Sequence, residues 1–212
     1  LLLGTAALVG LLTLDAQWRL AIVVSTIAAL IALSTVVITG YVGQISLAQY
    51  AFAGLAAFTT AKLAVGGLGF PWAPILAVLI TLAVGIEQLV FASPSLNGIA
   101  DVPRPRLLGI DLGFLAAGSG NFRAAFGIVA LVVLAGSMLV VANLRRSLTG
   151  LRWLAVRSNE RAAAASGIDV GATKLNAFAV SSLLAGLGGA LLAYELPALS
   201  PQQFMVIGAL AV

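Results

Sequence analysis

The chain has no cysteine and no histidine among its 212 residues. Without cysteine there is no disulfide, no thiolate nucleophile and no Cys-ligated metal. Without histidine the commonest metal ligand and general base is missing. Intramembrane metalloproteases and Ser-His hydrolases therefore have no raw material here. Charge is also scarce: 8% of residues are charged and 61% are hydrophobic, so a water-facing surface cannot be coated. No glycine-rich phosphate loop with a following Lys-Ser or Lys-Thr is present. The stretch "GLGG" at 186–189 lies in an apolar run without a lysine, so this chain is expected to bind no nucleotide, metal or other cofactor itself.

What is present is hydrocarbon. The mean hydropathy is +1.13, and a helix needs about 20 mostly apolar residues to cross roughly 30 Å of bilayer. Apolar runs cover residues 1–14, 18–39, 46–65, 71–91, 122–143 and 175–195, with another beginning at about 204. Trp18, Trp72 and Tyr194 lie near run ends, where amphipathic rings favour the interface. The expected fold is all-α: a polytopic transmembrane helix bundle, one membrane domain over 1–212. "LLLGTAALVG" lacks a basic n-region and "GALAV" stops inside an apolar run, so both ends read as cut.

The net charge of +4 has neither aromatic interleaving nor a polar domain that would suit nucleic acid. It is expected to mark loops facing cytoplasm and anionic lipid. Residues 144–174 hold Arg145, Arg146, Arg152, Arg157, Arg161 and Lys174 against Glu160 and Asp169, which makes this loop cytoplasmic by the positive-inside rule. The 122–143 helix then enters from outside, the Pro- and Gly-rich stretch 92–121 is an external loop, and 175–195 returns outward. Upstream, Arg19 and Lys62 are single charges that fix no topology.

Three motifs stand out. In "RSNERAAAASGID", 157–169, Glu160, Arg161 and the alanines at 162–165 predict a short helix, and Gly167 is placed to end it in a left-handed cap. A thin helix projecting into the cytoplasm can insert into another protein's groove; an ordinary solvated loop helix is the alternative. In "GYVGQIS", 40–46, two glycines and the polar Tyr41, Gln44 and Ser46 interrupt an apolar run. These residues read either as a wall of a solute pathway or as the interfacial end of the preceding helix. Small residues recur every four positions at Ser182, Gly186 and Ala190, at Ser181, Ala185 and Gly189, and at Ala53, Ala57 and Ala61, which predicts close helix packing.

The run from 145 to 193 resembles the permease subunits of branched-chain amino acid ABC importers, the LivM/LivH type. Arg146, Ser147, Gly150, Arg157, Asn159, Glu160, Ala162, Ala163, Gly167 and Ile168 match the family's R-S-x-x-G…R-x-N-E-x-A-A-x-x-x-G-I pattern. Gly40, Tyr41, Gly43, Gln44, Ser46, Leu47, Phe52 and Gly54 match a second pattern, and "NGIADVPRPRLLG" and "LSPQQF" resemble further stretches. The resemblance implies that Arg157, Asn159, Glu160, Arg161, Ala162, Ala163, Gly167 and Ile168 form a cytoplasmic coupling helix docking on an ATPase. It further implies a second permease subunit, two ATPase subunits holding ATP and Mg, an external solute-binding protein, and a place in the bacterial inner membrane. Ala48 and Gln49 stand where the family has Gly-His, and 71–91 allows one crossing where the family has two, so a segment is expected to be lacking between about Ile86 and Glu87. Urea and short amides are alternative cargoes. A self-contained secondary transporter or channel is the rival class, and it would need intramembrane acids such as Glu87 or Glu195.

Overall fold

The computed structural model describes residues 2–44, 46, 48–84, 99–100, 102–103, 105–107, 110–112, 124–195 and 198–199. The apolar runs become helices: α1 (Leu2–Thr13), α2 (Ala16–Thr35) continued by a π-helical turn (Val36–Tyr41), α3 (Ala48–Val65), α4 (Trp72–Val84) and α5 (Ala124–Arg146). The basic region gives α6 (Leu148–Ser158) and α7 (Glu160–Ala165), and α8 (Val170–Glu195) closes the bundle. Two minimal antiparallel ladders accompany them, β1 (Ile99–Ala100) with β4 (Ala198–Leu199) and β2 (Arg106–Leu107) with β3 (Ile110–Asp111). The Ile86–Glu87 junction, most of the 92–121 loop and the run beginning near 204 lie outside the described residues.

Among the described residues, three helices are long and apolar enough to cross a bilayer: 16–41, 124–146 and 170–195. The fold is an all-α membrane bundle, as its composition predicts. Its centre is the pair α3 and α8. α3 buries residues on every side, from Gln49 and Ala51 through Phe58 to Thr60 and Ala64, so it touches protein all round.

The small residues of α8 explain how the helices approach so closely. A Cβ on Gly189 would fall 1.8 Å from the carbonyl oxygen of Ala53, and one on Gly188 would fall 2.5 Å from Cγ1 of Ile31 in α2. Gly186 faces the Ala56 methyl at an ordinary 3.7 Å. Backbone contact of this kind replaces the hydrophobic driving force, which lipid does not supply between helices. The Ser181 hydroxyl donates to the Ser34 carbonyl at 2.9 Å and ties α8 to α2 in register.

Contacts at the two ends fix the direction of the upstream helices relative to the basic end. Tyr41, at the end of α2, lies against Trp153 in the basic region. Phe70, between α3 and α4, lies against Tyr194 at the far end of α8, as does Phe126 at the start of α5. α2, α4 and α5 run toward the basic end, while α3 and α8 run away from it. α1 also points away from the basic end, since Leu11 in its last turn packs where a Cβ on Gly127 would sit.

Candidate functional site

The basic end is built from tight reversals. α5 stops at Arg146, and Ser147 takes an extended conformation (φ −87°, ψ 171°) as the N-cap of α6. A Cβ on Gly150 would lie 2.4 Å from the Leu144 carbonyl oxygen and 2.5 Å from that of Arg145. Only glycine lets α6 fold back under the last turn of α5, which gives the R-S-x-x-G spacing a steric reason. α6 itself was not expected, because residues 144–174 read as a loop with one short helix. The signal was available in Ser147 as a cap and in Gly150, Trp153 and Val156, the buried face at three-residue spacing.

Trp153 is 1% exposed and packs with Val37, Ile38, Val42 and Val141. Its indole stacks on the Tyr41 ring, with centroids 6.3 Å apart and planes 19° apart. The Arg145 guanidinium sits 6.0 Å from the same ring's centroid, within range of a cation–π attraction.

Arg157 completes this junction. Its Nη1 donates to the carbonyl of Gly40. That carbonyl sits in the last turn of the α2 extension, and the Gln44 N–H, which an α-helical turn would place on it, bonds to Ile38 instead. The stem of Arg157 passes Gly43, where a Cβ would fall 3.2 Å from its Cγ and where φ is +75°. The backbone conformation favours glycine at position 43, and a Cβ there would crowd the arginine stem.

The predicted coupling segment is divided differently from the sequence expectation. Arg157 closes α6, and Asn159 (φ −161°, ψ 107°) breaks the helix. Its side-chain oxygen accepts from the N–H groups of Arg161 at 3.0 Å and Ala162 at 3.1 Å. That N-cap starts α7, and a Schellman motif ends it: the Gly167 N–H bonds to the Ala164 carbonyl and the Ile168 N–H to that of Ala163, both at 3.0 Å, with Gly167 at φ +80°. The expected left-handed cap at Gly167 is present. Within α7 only Ala163 is buried; Glu160, Arg161 and Ala162 face out.

α7 is also tied to α8. Glu160 Oε1 lies 2.7 Å from Lys174 Nζ, an exposed pair that contributes less than about 1 kcal/mol but fixes direction. Asp169 caps α8 through the Ala172 N–H at 2.9 Å, which is why α8 begins at Val170 instead of near 175. Between α6 and the start of α8 lies a cleft of about 550 Å³ bordered by Arg152, Trp153, Ile168, Asp169 and Thr173.

Asn159→Ala is expected to remove the cap and cost about 1 kcal/mol locally. Hydrogen exchange at the Arg161 and Ala162 amides should then run roughly five times faster, with Asn159→Asp restoring protection. Unchanged exchange would show that the cap does not hold α7.

Of the residues expected along a solute pathway, Tyr41 is taken up in the stack against Trp153, while Gln44 and Ser46 are partly exposed at the same end. All three therefore stand at the basic end of the bundle, near the predicted coupling segment. Gln49, the second residue of α3, is 1% exposed and neither of its amide atoms meets a partner among the described residues.

Comparison with known proteins follows the same lines. The high-affinity branched-chain amino acid transport system permease protein LivM of Escherichia coli (strain K12) is 32% identical over 123 residues, 51% of this chain and 29% of the relative. The chain thus spans less than a third of that protein's length. No solved structure matches. The family model for the permease component of the branched-chain amino acid transport system matches residues 105–211. Half the chain, including α5 to α8 and the whole basic end, carries this signature, and the chain belongs to the family of branched-chain amino acid transport system permease components.

Proposed function

We propose that this chain is a membrane-spanning subunit of an ATP-driven importer of the bacterial inner membrane, carrying branched-chain or other hydrophobic amino acids. Its partners are a second permease subunit, two ATPase subunits that bind ATP and Mg, and an external protein that delivers the solute. The observation that carries the reading is α7: a six-residue helix, capped at both ends, exposed at the basic end and lined with alanine.

Such a helix is slim enough to enter a groove, and the caps and the Glu160–Lys174 pair keep it from fraying when pushed. Force applied to α7 has two routes into the membrane. One passes through Asn159 to α6, then through Arg157 and Trp153 to Gly40 and Tyr41 at the end of α2. The other passes through Lys174 to α8. Because α2 and α8 meet backbone to side chain at Gly188 and Ile31, displacing both shifts packed helices between discrete arrangements. Tyr41, Gln44 and Ser46 then move at the inner mouth, where a solute leaves. A mostly apolar path with few polar groups holds a hydrophobic amino acid only weakly, which favours release.

The test is co-purification of the chain with a tagged ATPase subunit, followed by uptake measured with ATP inside proteoliposomes. ATP-dependent accumulation of leucine, isoleucine or valine is the expected result. A chain that leaves the ATPase behind, or that accumulates solute on an ion gradient without ATP, overturns the reading.

A further inference from the structure

We infer that α6 lies in the headgroup layer of the cytoplasmic leaflet, with Leu148, Leu151 and Leu154 inserted among acyl chains and Arg146 and Arg152 on anionic lipid phosphates. The observation is an inversion of the usual surface pattern. α6 buries Gly150, Trp153 and Val156 against the bundle, yet its opposite face is also apolar. Leu148 is 74% exposed, Leu151 58% and Leu154 40%, and all three project away from the buried side at 100° per residue. A helix facing water places polar groups there.

Position and charge name the occupant. α6 begins one residue after α5 leaves the bilayer, and Gly150 holds it against the last carbonyls of that span. It therefore sits at the membrane surface. The α5 helix beside it exposes Val132, Met138, Leu139 and Val140, so the leucine stripe extends an apolar face already turned to lipid. From Leu144 to Asn159 there are four arginines and no acidic residue. Arg145 is engaged with Tyr41 and Arg157 with Gly40. Arg146 and Arg152 are exposed, with no ion pair among the described residues. Leucines beneath arginines are the two halves of an interfacial anchor for anionic lipid.

The lack of native cysteine makes the test direct. Single cysteines at Leu148, Leu151 and Leu154, with Ala164→Cys on exposed α7 as the water-facing control, are placed in the chain reconstituted in nanodiscs of phosphatidylcholine, with or without phosphatidylglycerol. The readouts are reaction with a charged maleimide and quenching of an attached fluorophore by brominated lipid. The α6 positions are expected to react roughly tenfold more slowly than the α7 control and to be quenched by lipid, more so with phosphatidylglycerol. Arg146→Gln with Arg152→Gln should lower that phosphatidylglycerol dependence roughly tenfold. Labelling at the control rate overturns the inference. So does protection that arises only when the ATPase subunit is added, a result that would leave the importer reading standing.

Discussion

Gly189→Leu is expected to leave almost no folded protein in the membrane, and Gly189→Ala to be nearly as damaging. A Cβ at this position would stand 1.8 Å from the Ala53 oxygen, 2.4 Å from its carbonyl carbon and 2.6 Å from its Cα. All three obstacles are backbone, so no rotamer change relieves them and α3 must separate from α8. Alanine in place of glycine gains about 1 kcal/mol in helix propensity, but overpacking costs about 3 kcal/mol or more when the neighbour cannot yield. The clash wins. Gly136→Ala, where nothing lies within 4 Å, and Gly186→Ala, at 3.6–3.7 Å from its neighbours, are the controls. Thermal stability in detergent should fall sharply for position 189 alone; equal stability of all three variants would refute the close-contact account.

Arg157→Ala is expected to separate docking from transmission. α7 keeps both caps and its tie to Lys174, so the ATPase should still co-purify. The link to Gly40 is lost, however. A charged donor on a carbonyl contributes about 1.5 kcal/mol where solvent reaches it, which corresponds to roughly a tenfold fall in ATP-driven uptake. Reversing charge with Glu160→Arg and Arg161→Glu acts earlier: it breaks the Lys174 pair and changes the face that docks, so ATPase binding and uptake should be lost together while the chain stays inserted. Identical behaviour of the two variants, in either assay, would show that Arg157 has no separate part in transmission.

The spans were legible because apolar runs of bilayer length have few other solutions. α7 was legible because four alanines after Asn-Glu and before Gly167 specify a start, a helix and a stop within a dozen residues. α6 was hidden by its arginines, which made "LTGLRWLAVR" look like loop although its buried face recurs every three residues. The junction at the inner mouth could not be read at all. Arg157 and Gly40 are 117 positions apart, and nothing local to "GYVGQIS" says that an arginine will reach the Gly40 carbonyl. The resemblance placed Arg157 and Gly43 in separate motifs, and the fold brings them into contact. The orientation of α1 to α4 likewise depended on Phe70 meeting Tyr194, a pairing between distant parts of the chain.

The enclosure of α3 has a consequence for how the protein is made. This helix is rich in small apolar residues, buries Gln49 and Thr60 as well, and is wrapped by neighbours over most of its length. Small side chains let its neighbours approach closely but give lipid little to hold, so α3 gains most of its packing only when its partners surround it. Its main partner, α8, is the last described helix to leave the ribosome. The nascent chain must therefore shelter an unfinished middle while the walls are still being synthesised.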